Sequence, residues 1–432
     1  MKFPGRRKLK HYFPVSQPKP VLPTSEVRPD KDTYIVGLDE TIVDVVANVS
    51  DQFLETFKIQ KGLSNLVDAD TASAIYSELT AQNSISDHFA GGTIGNTIHN
   101  YSVLADDKSV LLGVMSANIT LGSPAYHYIC HTSSKVDMNH LQGVPGDIGR
   151  GITLITPDGE RTFAIAPGDM DELDVDHIPE HIIAGSAALV TCAYPLRHQG
   201  KPIKQAMLKA LEYAHLHHVP TVLTLGTKHL VEDNREELLE LIKKYVNVLA
   251  MNELEAEALT GFSDPLQAAS AILEHVDIVL LTAGPDGMYL CGHTDDELRR
   301  ETTHPIKSGS LADFNRWEFS RPMLREACKQ PVKVFSHIDP YMGGPEKIRN
   351  TNGAGDGALS ALLHDISANH FHKEVIPNSS KHLAPFLAYS SFAQICKYSN
   401  RVSYEILAQN ASRLSRGLPE REDSLEEAYW ER

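Results

Sequence analysis

Along most of this chain, short unbroken apolar runs alternate with segments whose apolar residues recur every three or four positions. The runs at 109–116, 187–194, 219–226, 246–252, 277–284 and 332–338 have the length and β-branched content of strands buried on both faces. Helical spacing fills the gaps between them, most clearly at 204–217 and 236–244. Strand–helix–strand units and a mostly parallel sheet are therefore expected, an α/β fold. Two regions, 44–49 and 151–165, alternate polar and apolar residues instead, and the second is broken by the turn sequence Pro157-Asp158-Gly159. Antiparallel strands with one wet face read this way, so a small β lid is expected from strands near 44–50 and 151–165.

The rhythm fails in three places. Residues 1–32 hold six prolines and a basic cluster at Lys2, Arg6, Arg7, Lys8 and Lys10, which predicts an extended arm. Charge-rich residues 292–345 read as an insertion, and 419–432 as an acidic, helix-prone tail. A single folded domain over 33–418 remains. No internal repeat is visible.

Composition narrows the function. The net charge of −16 argues against nucleic acid and anionic membranes as partners. Five cysteines without a CxxC pair suggest a reducing compartment and no structural zinc. No apolar run approaches the ~18 residues of a membrane span, and the N-terminus lacks an apolar signal core, so a cytoplasmic location is expected. Opposite charge on the two tails leaves a homo-oligomer open. The basic Arg6-Arg7-Lys8 run would suit a polyphosphate regulatory nucleotide or another subunit.

Candidate chemistry concentrates at Asn350-Thr351-Asn352-Gly353-Ala354-Gly355-Asp356, directly before a helical pattern carrying Leu359, Leu362, Leu363 and Ile366. Small residues at a helix mouth expose backbone N–H groups to an anion, and Asp356 places a base beside them. An acid there is also a common helix cap. Gly353, Gly355 and Ala358 fit a degenerate dinucleotide fingerprint too, but that needs a strand just before, where 343–347 reads as a loop.

Further candidates follow strands. Gly91 and Gly92 precede a helix on which Asn96 points away from the apolar face Ile94, Ile98, Tyr101 and Ala105. Asn252-Glu253-Leu254-Glu255 opens another helix, where Glu255 suits the dipole. Thr282, Gly284 and Gly287 form a strand-to-turn segment. There is no GxxxxGK[ST] loop and no protein-kinase signature. Histidines 127 and 131, and 215, 217 and 218, lack the further ligand that a metal site needs.

In this order the motifs resemble those of the ribokinase (PfkB-type) carbohydrate and nucleoside kinases. The match at the helix mouth is Thr351, Gly353, Ala354, Gly355 and Asp356, with Asn350 where that family usually has Asp. The resemblance spans about residues 34–410 and leans toward adenosine-kinase-like nucleoside kinases. It implies a ribokinase-like sheet flanked by helices, with ATP and Mg²⁺ as cofactors and K⁺ as a further candidate. Phosphorylation of the 5′-hydroxyl of inosine and guanosine is the implied activity. A sugar kinase of the same fold and a nucleoside-binding regulator without turnover are the rivals.

Residue by residue, the resemblance implies Asp356 as general base and Gly353, Ala354 and Gly355 as the anion hole. Gly91, Gly92 and Asn96 would hold the sugar. Asp44 would accept from the ribose hydroxyls, with Asp39 as second candidate; Asp39 and Glu40 replace small or amide residues common there. Asn252, Thr282, Gly284 and Gly287 would lie along ATP, and Glu255 would bind Mg²⁺ through water. The family's Asp-x-Asn-x-Arg strand should fall at 224–228, where Lys228 is the only basic residue.

Overall fold

The computed structural model describes residues 26–197, 200–302 and 316–418. The basic cluster at Arg6–Lys8 and the acidic tail lie outside the described residues. Strands in chain order are β1 (Tyr34–Leu38), β2 (Ile42–Asn48), β3 (Ser64–Leu66), β4 (Ile85–Ala90), β5 (Lys108–Leu112), β6 (Val114–Ser116), β7 (Val136–Asp137) and β8 (Gln142–Val144). They continue as β9 (Gly149–Ile155), β10 (Arg161–Ala166), β11 (Leu189–Cys192), β12 (Thr221–Thr224), β13 (Val248–Asn252), β14 (Ile278–Thr282), β15 (Met288–Asp295) and β16 (Pro331–Ile338).

A nine-stranded sheet runs β16-β15-β14-β13-β12-β11-β1-β5-β7. From β14 to β7 every pairing is parallel, and β15 and β16 add an antiparallel edge. Its central strands are buried throughout, β1 and β11 at every position, because helices cover both faces. The parallel strands end together, so the segments after β1, β11, β12, β13 and β14 gather along one edge, where α/β sheets hold their ligands.

A five-stranded sheet, β3-β10-β9-β2-β4, rises from that edge. Only Asp39, Glu40 and Thr41 separate β1 from β2, and β4 runs directly into Gly91. Alternate residues of β2 and β10 are buried, as the sequence alternation requires. Each region forms an antiparallel pair as expected, but one pairing departs from the expectation. Strand β2 pairs in parallel with β9 and antiparallel with β4, while β9 and β10 form the hairpin around Pro157–Gly159. Alternation reports a wet face, not a direction.

Other boundaries also shift. The run 109–116 splits at Gly113, where a Cβ would sit 2.8 Å from the Asp39 carbonyl oxygen. The stretch 292–345 is not wholly outside the sheet, since it holds the end of β15 and all of β16. Its broken rhythm comes from an antiparallel edge and a long connection. Strand β16, expected to be buried, is half exposed along that edge. Within the expected arm, residues 26–32 are anchored at Val27, which is buried and whose N–H donates to Asp137 Oδ2 at 2.7 Å.

The helix Ala354–Val375 packs between the helices Thr93–Ala105 and Phe392–Leu407, so it is covered nearly all round. Leu359, Leu362, Leu363 and Ile366 are buried there, each contributing about 1.5–3 kcal/mol. Two of its inward polar groups tie it to these neighbours: Ser367 Oγ lies 2.7 Å from the Tyr101 hydroxyl, and His364 Nδ1 2.9 Å from that of Tyr398. The mouth of this helix is thereby held rigidly at the sheet edge. No described helix is long and apolar enough to cross a membrane.

Candidate active site

A cavity of about 740 Å³ lies between the strand ends, the smaller sheet and the mouth of the helix Ala354–Val375. It is lined by Asp39, Asp44, Gly92, Asn96, Asn252, Glu255, Thr282, Gly284, Gly287, Gly353, Ala354, Gly355 and Asp356. Gly91 stands just behind, against Asp44. Residues more than 300 positions apart in sequence thus meet in one place.

The glycine-rich turn works through its backbone. Gly353 takes a left-handed conformation (φ 82°), and a Cβ there would sit 2.6 Å from that of Ser412. No side chain caps this helix, so the first-turn N–H groups remain available to an anion. Asp356 sits in that first turn. Burial, with the charges of Asp39 and Glu255, pushes its carboxyl up to about 7, against the opposing pull of Asn96 and Arg413.

Asn96 is buried, and both ends of its amide are engaged. Its Nδ2 donates to Asp356 Oδ2 at 3.1 Å, and its Oδ1 accepts from Arg413 Nε at 2.9 Å. It therefore orients the carboxylate, where the sequence suggested a sugar contact. Arg413 is itself fixed, donating to the Gly91 carbonyl at 2.9 Å and to Thr132 Oγ1 at 2.7 Å. Sequence reasoning missed Arg413. It follows the last described helix in an irregular segment, with no spacing signal to mark it.

Asp39 and Asp44 separate cleanly. Asp39 is buried, and its Oδ2 accepts from the N–H groups of Ile94 and Gly95 at 2.8 and 3.1 Å. It supplies from a distance the cap that Gly92 cannot. Gly92 needs its φ of 83°, and a Cβ there would press within 2.7 Å of Asp39. Asp44 has no such partners: no hydrogen bond from a described residue reaches it. Its carboxylate fits between Gly91 and Gly151, where added Cβ atoms would lie 2.5 and 2.9 Å from its oxygens. Burial raises it to about 6, with Arg413 opposing. Asp44 is thus the open acceptor of the pair.

On the opposite wall, Asn252 and Glu255 form a capping box. Glu255 accepts from the Asn252 N–H at 3.0 Å and from its Nδ2 at 2.9 Å. Burial lifts Glu255 to about 7, with Glu253 adding to it and Asn252 opposing. Thr282 ends β14, and Gly287 packs its backbone under the Ile338 carbonyl. Lys228 lies apart from the lining, 3.6 Å from Glu257 on the surface. Asn350 is also outside the lining. It donates to the Asn410 carbonyl at 2.8 Å, which an Asp could not do, and accepts from the Asn352 N–H at 3.0 Å.

Arg197 is the only basic side chain among the described residues that line the cavity. Its guanidinium lies over the Tyr194 ring at 4.7 Å and pairs with buried Glu40. Burial raises Glu40, the nearby Asp171 adds to this, and Arg197 pulls the other way. The sequence flagged Glu40 only as a departure from pattern, and Arg197 not at all.

An exposed set of N–H donors beside a carboxylate of near-neutral pKa holds an anion and withdraws a proton at one point. With open acceptors facing it, this is the equipment of a small-molecule kinase. Comparison with known proteins agrees. Residues 131–310 match the model of the pfkB family carbohydrate kinases. The full chain is 57% identical over 436 residues to the guanosine-inosine kinase of Escherichia coli K12, covering 100% of both. Among solved structures, a probable sugar kinase from Rhizobium etli superposes with a TM-score of 0.65 at 20% identity, over 92% of this chain and 98% of that one. The adenosine kinase of Sinorhizobium meliloti gives 0.64 at 21%, over 92% and 99%. The chain belongs to the pfkB family of carbohydrate kinases, and its fold is ribokinase-like.

Proposed function

We propose that this protein transfers the γ-phosphoryl group of ATP to the 5′-hydroxyl of inosine and guanosine, giving IMP and GMP. The observation that carries the reading is Asp356, a carboxylate with a raised pKa set in an uncapped helix mouth and oriented by Asn96. The full-length likeness to a guanosine-inosine kinase supports the choice of acceptor.

Asp44 accepts from the ribose hydroxyls, which aims the 5′-hydroxyl at the helix mouth. Asp356 takes the proton of that hydroxyl as it attacks in line, help worth roughly 10²–10⁴-fold. The N–H groups of Ala354 and Gly355 meet charge developing on the phosphoryl oxygens. ATP lies toward β13 and β14, along Asn252, Thr282 and Gly284. The smaller sheet shields the reacting groups from water.

The cavity is acidic, with Asp39, Glu40, Asp44, Glu253, Glu255 and Asp356 lining it. Glu255, whose oxygens accept from the Asn252 N–H and Nδ2, would hold a Mg²⁺ ion through the ion's own water. When bound, Mg²⁺ neutralises phosphate charge.

ADP release with Mg-ATP and, separately, inosine, guanosine, adenosine and ribose tests the reading. Turnover with inosine and guanosine well above the other two is expected. Turnover with ribose alone would replace the acceptor, and binding without turnover would replace the enzyme with a regulator.

A further inference from the structure

We infer that Glu40 and Arg197 read the edge of the purine and set a preference for 6-oxopurines over adenine. This rests on the nucleoside-kinase reading above and assigns the base contacts it leaves open.

The pair has three features of a recognition site. Glu40 is 6% exposed and lines the cavity. Its Oε2 accepts from Arg197, while its Oε1 has no hydrogen-bond partner. Such an orphaned buried acceptor carries a desolvation cost that an arriving donor relieves. Oε1 is buried as it stands, and bringing it to the cavity takes a change in the last side-chain torsion, which is soft for Glu. Arg197 brings N–H groups beyond the one given to Glu40. Third, the walls are flat or apolar: Tyr194, backed by Gly226, with Ile42, Ile165 and Met170 lining the same cavity.

Position favours a base over a phosphate. Glu40 follows β1 and Arg197 follows β11, whereas Asn252 and Thr282 end β13 and β14, on the far side of β12. A phosphate beside Glu40 would meet a carboxylate, and the Arg197 charge is already matched. Glu40 also lies only four residues before Asp44, the ribose acceptor, on the turn that enters the smaller sheet.

The chemistry then discriminates. Inosine and guanosine present N1–H as donor and O6 as acceptor, matching a carboxylate oxygen beside a guanidinium. Adenosine presents the reverse, N1 as acceptor and an exocyclic amine as donor, so adenine sets acceptor against acceptor at Glu40 and donor against donor at Arg197. Losses of this kind discriminate strongly where the mismatched group is buried, as Glu40 is.

The test compares kcat/KM for inosine, guanosine, adenosine and 1-methylinosine, using full-length wild type and Glu40→Gln with Mg-ATP. In the variant the amide oxygen turns to Arg197 and its NH₂ faces the base, a donor for adenine N1. The expected result is a fall of about tenfold or more in the inosine-to-adenosine ratio. For the wild type, 1-methylinosine should be worse than inosine by a similar factor, since its N1 carries no proton. This second arm decides the matter even where the variant folds poorly. An unchanged ratio in the variant, or 1-methylinosine as good as inosine, overturns the inference and leaves the kinase reading standing. Wild type inactive on both inosine and guanosine removes that reading and the inference with it.

Discussion

The amide nitrogen of Asn96 lies 3.1 Å from Oδ2 of Asp356, joining the helix mouth before β5 to the one near the C-terminal end. An amide can rotate to present oxygen instead, which would repel the carboxylate. Arg413 prevents this by donating to the Asn96 oxygen at 2.9 Å. The arginine therefore acts on Asp356 at one remove, through orientation as well as charge.

Replacing Arg413 with Met should lower kcat by about tenfold and change nucleoside binding less. Its signature is in the pH profile. A hydrogen bond to a charged group is worth about 1.5 kcal/mol, or roughly one pKa unit. Loss of the Asn96 contact should move the acid limb of kcat/KM upward by about that much. A merely structural role would reduce the amount of active enzyme and leave the limb in place.

Asp356 also links activity to stability. Its carboxyl is raised to about 7, so activity should rise with pH through the neutral range. Between its unfolded value near 4 and 7, the native state holds a proton that the unfolded state has released. Stability must then fall as pH rises across that window. Asp356→Asn should melt a few degrees above wild type at pH 8, and the gap should close toward pH 4. Thermal melts at both values check this, and a gap that widens in acid would reverse the sign.

Asp44 and Asp39 should behave differently when changed. Asp44→Ala should raise KM for the nucleoside by roughly 10–100-fold, as expected for lost hydrogen bonds to a charged acceptor. Ribose hydroxyls are the partners, so 2′-deoxyinosine should lose less between wild type and variant than inosine does. Asp39→Ala strips the cap from the helix Thr93–Ala105 and should instead lower the melting temperature, its cost about 1 kcal/mol or more. Equal effects of both on KM would put Asp39 back among the substrate contacts.

Gly91→Ala tests the packing around the same acceptor. The new Cβ would sit 2.5 Å from Asp44 Oδ2, so the carboxylate must shift. A KM rise like that of Asp44→Ala, in a protein that still folds by circular dichroism, is the expected outcome.

Much of the parallel sheet was legible because its strands are continuous apolar runs, and the helix mouth because its glycines precede a clear helical period. The smaller sheet was half legible. Alternation marked β2 and the β9–β10 hairpin, but β4, Ile-Ser-Asp-His-Phe-Ala, carries little of it and has few buried positions. The residues the motifs named line one cavity, yet spacing could not say that Asp39 caps a helix while Asp44 stays open. Arg413 was invisible for a physical reason: its partners, Asn96 and Gly91, lie more than 300 residues earlier, and no local period reports such a contact.

The most direct test is inosine turnover by Asp356→Asn beside wild type, with inosine affinity measured on the same preparations. Wild type should form IMP, and the variant should bind inosine comparably while losing about 10²-fold or more in kcat. Turnover retained by a well-folded Asp356→Asn protein would contradict the assignment of the base, and with it the account of this site.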